Sequence, residues 1–300
     1  MGRRTRFQIA KKDIIKYFDK NPRSVFKKLE LSNIFDVKHG YWRLASSMRI
    51  DDFIKELKKT SFFEEHIFSF PSKNITIYTW KELSPYLTLS ELKPQSYFCY
   101  YTAMYLHNLT EQLPKEYYVS GLRASSIKKR PNQKIELIPQ EAIKKAFSKK
   151  KGGSQNIAIH KNFRVYLLES SYAENIGIIK TKIENSSDVV SVTDIERTLI
   201  DITVRPFYSG GVHEVLKAYC LGAEKLSVNK LSSYLLKLDY VYPYHQLVGF
   251  YLEKTGLISE KKLEKLEKRF SIKKEMYASY GEKELLYSER WKVHYPKSMR

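Results

Sequence analysis

The chain has 300 residues, 42% of them hydrophobic and 14% aromatic, with 53 Lys and Arg against 33 Asp and Glu for a net charge of +20. That apolar content excludes a disordered chain and suffices for two cores, while the charge excess predicts a polyanionic partner, nucleic acid before membrane. Cys99 and Cys220 are the only cysteines, which argues against a disulfide framework or a cysteine-ligated zinc site and fits a cytoplasmic protein; no apolar run nears the roughly 18 residues of a membrane span.

The first twelve residues, with Arg3, Arg4 and Arg6, read as a basic arm. Apolar spacing predicts a helix over 13–20, stopped by Asn21-Pro22, and a second from Ser24 to about residue 35. A third, capped by Ser46 or Ser47, carries Ile50, Phe53, Ile54 and Leu57 on one face. Aromatic and β-branched residues at 62–70 and 75–80, joined by Pro71-Ser72-Lys73-Asn74, predict a hairpin.

Three short helices and a hairpin within residues 1–82, a segment with 18 basic and 10 acidic side chains, give the layout of a winged helix-turn-helix. There the third helix enters the major groove and the wing meets backbone. Lys55, Lys58 and Lys59 on the outer helix face and Lys73 at the wing tip suit phosphate contacts; Ser46, Ser47 and Arg49 reach toward base edges, and Arg43 joins the same DNA-binding set. Asp51 and Asp52 in the first turn favour the helix dipole but repel phosphate.

A second domain is expected over 83–300. Residues 96–109 read as a buried aromatic helix, in which His107 lacks neighbours at metal-ligand spacing and is expected in the core or at its edge. A strand is predicted at 116–120. Residues 123–151 carry 10 basic and 2 acidic side chains, among them Lys128, Lys129, Arg130, Lys149, Lys150 and Lys151, around an amphipathic stretch at 142–147. This segment suits a second nucleic-acid contact and suits a solvated loop equally.

Strands follow at 156–160, 164–168 and 177–182. Thr193 with Glu196 then predicts a capping box for a helix whose stripe is Ile195, Leu199 and Ile200 and in which Arg197 pairs with Asp201. Helices at 212–223, 228–238, 245–255 and 260–270 complete an α+β chain: an N-terminal winged helix-turn-helix and a larger mixed α/β domain ending in helices.

Catalytic chemistry is not legible. Glu169, Glu184, Asp188, Asp194 and Asp201 are scattered, strand 179–182 lacks a carboxylate beside its lysines, and no glycine-rich phosphate loop or activated nucleophile is present. The expectation is a non-enzyme without cofactor or metal. The alternative is a nucleic-acid-processing enzyme with a nuclease-like C-terminal domain, and a third reading is an adaptor that caps a toxin directly.

Three segments together carry a resemblance: Trp42-Arg43-Leu44 leading into the helix with Phe53 and Leu57; 97–112 (YFCYYTAMYLHNLTEQ) running into Pro114-Lys115 and Tyr117-Tyr118-Val119; and 192–211 (VTDIERTLIDITVRPFYSGG) ahead of 245–253 (HQLVGFYLE). The chain resembles the AbiEi family of antitoxin-regulators from bacterial abortive-infection operons over nearly its whole length. The resemblance implies an N-terminal winged helix that binds inverted repeats of its own promoter in double-stranded DNA and represses the operon. It also implies a C-terminal domain that counters a partner nucleotidyltransferase-type toxin without a stable complex.

Overall fold

Regular structure begins earlier than the charge of the N-terminus suggests. In the computed structural model, which describes residues 4–122, 138–149, 151–170, 175–184, 186 and 188–300, Thr5 is the cap of α1 (Arg6–Lys20). The Thr5 hydroxyl accepts from Gln8 N at 3.2 Å and Gln8 Oε1 accepts from Thr5 N at 2.9 Å, a reciprocal capping box. Phe7, Ala10, Ile14 and Phe18 all face inward. The expected basic arm is therefore helical from Arg6 onward, because an apolar stripe runs through its charges.

Two compact units divide the chain: Met1–Pro94 with Ile157–Asn162, and Gln95–Asn156 with Phe163–Arg300. In the first, β1 (Val25–Phe26) precedes α2 (Lys28–Lys38). The helix expected from Ser24 starts later because Val25 and Phe26 are buried and pair with Thr79 and Tyr78. Next come α3 (Ile50–Lys58) and the hairpin of β2 (Phe63–Phe70) and β3 (Lys73–Trp80), giving a sheet in the order β1-β3-β2. Phe70 pairs with Lys73, so the hairpin turns on Pro71-Ser72 alone and Lys73 opens the second strand.

The core of this unit is aromatic. Trp42 stacks on Phe53 at 5.6 Å between centroids and Phe18 on Trp80 at 4.9 Å. A short helix, α4 (Pro85–Ser90), follows the hairpin, and Arg23 Nη2 lies 3.4 Å from Glu91 Oε1 just beyond it. Residues 83–94, expected in the second domain, thus fall in the first unit.

The second unit starts with β4 (Tyr97–Phe98), α5 (Tyr100–Leu106), β5 (Glu116–Leu122) and α6 (Gln140–Phe147). The helix expected over 96–109 is shorter, since Tyr97 and Phe98 pair with Ser120 and Val119. The strand β6 (Ile157–His160) groups with the first unit, against β2. Then β7 (Phe163–Ser170), β8 (Ile178–Lys182) and β9 (Val189–Thr193) complete a run ordered β7-β5-β4-β9-β8, with β5–β7 and β4–β9 parallel and the other pairs antiparallel.

From β9 the chain enters α7 (Ile195–Val204), buried along Glu196–Thr203. Around it lie α8 (Val212–Gly222), α9 (Val228–Leu238) and α10 (Tyr244–Lys254), with α11 (Glu260–Arg269) against α9 and α10. The expected capping box at Thr193 and Glu196 does not form. Asp194 caps instead, its Oδ1 accepting from Arg197 N at 2.8 Å. Glu196 reaches across to the start of α9, accepting from Ser227 N at 2.8 Å, where the helix dipole favours its charge.

The last thirty residues, to which the sequence assigned no element, form a sheet of β10 (Met276–Tyr277), β11 (Leu285–Ser288) and β12 (Val293–Pro296) in the order β10-β12-β11. Gly249 of α10 lets it seat: a Cβ there would lie 2.2 Å from the Trp291 ring. Among the described residues no helix is long and apolar enough to cross a membrane.

Candidate nucleic-acid interface

Alternation of apolar and charged residues in α3 (IDDFIKELK) fixes which way it faces. Phe53, Ile54 and Leu57 are buried, with Phe53 against Trp42 and Phe35, so Lys55, Lys58 and Lys59 are left on the exposed side. All eight residues singled out from the sequence, Arg43, Ser46, Ser47, Arg49, Lys55, Lys58, Lys59 and Lys73, are exposed.

They do not form one cluster. Arg43, Ser46, Ser47 and Arg49 lie in the connection between α2 and α3, and the three lysines on α3 itself. Lys73 sits at the hairpin turn, five residues along β2 from the Glu65 that contacts Lys58, a distance of roughly 17 Å at strand rise.

Neither serine caps α3. Met48 N donates to Ala45 O at 2.9 Å, and this turn holds Ser46 and Ser47 outside the helix; Arg49 takes the cap position. The two acids that seemed opposed to phosphate are both engaged. Asp52 Oδ2 accepts from Arg49 N at 3.1 Å, and Asp51 pairs with Lys28 Nζ at 2.5 Å.

The cations divide similarly. Lys58 pairs with Glu65 and Lys59 with Glu56, whereas Arg43, Arg49, Lys55 and Lys73 make no ion pair among the described residues. Exposed pairs of this kind contribute about 1 kcal/mol or less, so a phosphate competes for Lys58 and Lys59 at small cost.

Arg43 has a conformation that no sequence pattern flagged. Its φ is 49°, in the left-handed region, with Trp42 and Leu44 buried on either side. Placing a non-glycine residue there costs on the order of 1–2 kcal/mol. The buried flanks and the Arg43 N to Gly40 O bond of 3.0 Å hold the turn.

Of the second basic run, Lys128, Lys129, Arg130 and Lys150 lie outside the described residues. Lys149 is exposed beyond the end of α6, and Lys151 sets its ammonium 5.6 Å from the Tyr280 ring centre in the second unit. His107 is an edge histidine: its Nε2 is 2.6 Å from Thr193 O, and burial holds its pKa below the usual imidazole value despite that carbonyl.

Asp194, Glu196 and Asp201 of the second unit are all engaged within it. Asp194 accepts from Tyr234 at 2.8 Å and, with Glu196, holds Lys230 at 3.0 and 2.9 Å; burial disfavours that ammonium, yet the two acids keep its pKa above normal. Arg197 Nε donates to Asp201 Oδ1 at 2.8 Å with both side chains buried, the pairing the sequence predicts. Among the described residues no three His, Cys, Asp or Glu side chains gather as metal ligands.

No family model matches the chain, and no curated protein does. Among solved structures, the crystal structure of the RV2827C protein from Mycobacterium tuberculosis is similar to it with a TM-score of 0.62 at 11% identity, over 98% of this chain and 93% of that one. At that identity the likeness is one of fold.

Proposed function

We propose that the first unit is a winged helix that binds duplex DNA, and that the chain represses its own operon. The element order supports this reading: helix, short strand, helix, helix and hairpin, with β1 paired to β3. The observation that carries it is the seating of α3. Phe53 and Leu57 lock one face into the core, and the opposite face and the loop before it offer Arg43, Arg49 and Lys55 with no internal ion partner among the described residues. Phosphate contacts from such cations set register, and the Ser46–Arg49 loop carries base readout.

The resemblance to AbiEi antitoxin-regulators extends the reading to an antitoxin that counters a nucleotidyltransferase-type toxin. Its DNA partner is then an inverted repeat upstream of its own gene. A gel shift of the purified chain on that upstream fragment and on unrelated DNA, at two salt concentrations, tests it. Preference for the upstream fragment, with affinity falling steeply as salt rises, is the expected result. Equal binding to both fragments reduces the protein to a general polyanion binder, and cleavage of DNA or RNA in magnesium replaces the repressor reading with the nuclease-like one.

A further inference from the structure

We propose that a cavity in the second unit binds a small phosphate monoester, a function separate from DNA binding by the first unit. The cavity, about 270 Å³, opens beside the C-terminal end of α7. Its floor is the buried Arg197–Asp201 pair, to which Tyr240 adds a hydrogen bond on Asp201, so the deepest charges cancel. Its walls are tyrosines of β4, α5 and the 240–244 segment.

The rim is not neutral. Arg205, one turn beyond Asp201, and Lys151 both line the cavity and neither makes an ion pair among the described residues. Partial burial and then the Arg205 charge hold the Lys151 ammonium below its normal pKa, while Tyr100, Tyr208 and Asp201 around Arg205 raise that of the guanidinium. Glu169 lines the same cavity and is itself engaged.

Asp201 and Glu169 share the lining, Asp201 paired with Arg197; Arg205 and Lys151, in no ion pair among the described residues, together match a dianion. A phosphate monoester carries close to two negative charges at neutral pH and three acceptor oxygens, which the guanidinium fork and ammonium satisfy through charge-assisted hydrogen bonds. A carboxylate supplies one charge and leaves one cation unmatched. The aromatic walls then take the ester's organic body, and the cavity has room for about a mononucleotide or sugar phosphate.

Calorimetric titration of the full chain with AMP, ribose 5-phosphate, inorganic phosphate and adenosine tests this. Saturable one-site binding of AMP or ribose 5-phosphate, tighter than inorganic phosphate, is expected, with adenosine failing. AMP above ribose 5-phosphate identifies a ring-bearing ligand, and equal binding of the two a sugar phosphate. Arg205→Gln and Lys151→Gln each lower affinity about tenfold or more, the loss of a charge-assisted contact, while Lys55→Gln in the first unit leaves it unchanged. Both rim side chains are exposed, so circular dichroism of the variants should match the parent. The proposal falls if neither AMP nor ribose 5-phosphate binds at millimolar concentration, if adenosine binds as well as AMP, or if Arg205→Gln and Lys151→Gln bind like the parent.

Discussion

Arg43 holds a backbone conformation that glycine would adopt without strain, between two buried neighbours that fix it. Replacement by glycine relieves about 1–2 kcal/mol of left-handed strain and costs about 0.5–1 kcal/mol in unfolded-state entropy, leaving a small net stabilisation. Arg43→Gly is expected to raise the denaturation midpoint slightly and weaken DNA binding. A fall in both would make Arg43 a packing residue. The contrasting case is Gly249, where a methyl group meets the Trp291 ring at 2.2 Å. Gly249→Ala is expected to lower the thermal midpoint of the second unit by overpacking, on the order of 1–3 kcal/mol, and a variant as stable as the parent would show that the ring has room to move.

His245 makes a pH prediction at the same scale. Its ring stacks on Phe270 and its Nε2 lies 3.1 Å from Ser271 O; burial pushes the pKa down to about 4 against that carbonyl. The folded pKa lies below the unfolded value near 6.5, so the neutral ring's stabilisation is complete above pH 6.5 and is lost as pH falls toward 4. The loss of thermal stability between pH 6.5 and 4 should be smaller in His245→Gln than in the parent; equal losses would place the titration elsewhere.

Among elements, α3 most needs a variant series, because its cations differ in their partners. Lys58 and Lys59 are paired with carboxylates, whereas Arg49 and Lys55 make no ion pair among the described residues. Arg49→Gln with Lys55→Gln should therefore weaken binding to the upstream fragment more than Lys58→Gln with Lys59→Gln, in a gel shift at fixed salt. The reverse order would place the DNA on the Glu56–Glu65 side of the helix.

The buried face of α3 was legible, since Phe53, Ile54 and Leu57 recur at helical spacing, and so was the hairpin. The start of α1 was legible in principle: Thr5 and Gln8 have capping-box spacing ahead of Phe7 and Ala10, but three arginines obscure the stripe. The short strands β1 and β4 were not legible, because two residues cannot display a period and only a distant partner strand makes them strands. Nor was the capping choice at α7, where Asp194 and Thr193 are both good caps and the distant Ser227 and Lys230 take Glu196 away.

For the whole molecule, the first unit is discontinuous in sequence. Residues 157–162 complete it: His160 Nε2 lies 3.2 Å from His66 Nδ1, its ring sits 4.5 Å from Phe68, and Lys161 pairs with Glu64 at 2.7 Å. A fragment ending at Pro94 loses that cover. It should unfold at lower denaturant than the same unit within the full chain, read from the fluorescence of Trp42 and Trp80; equal midpoints would show β6 to be dispensable. The Arg197–Asp201 pair was legible as an i, i+4 spacing. The cavity above it was not, because Lys151, Tyr100, Arg205 and Tyr240 come from segments as much as 140 residues apart.

The claim on which the account turns is that the cations around α3 meet DNA phosphates. The direct measurement is the slope of log affinity against log salt on the upstream inverted repeat, for the parent and for Arg43→Gln/Arg49→Gln/Lys55→Gln/Lys73→Gln. The slope should shrink by about 0.9 for each phosphate contact removed, with weaker binding throughout. An unchanged slope at unchanged affinity, in a variant that folds like the parent, would contradict the account.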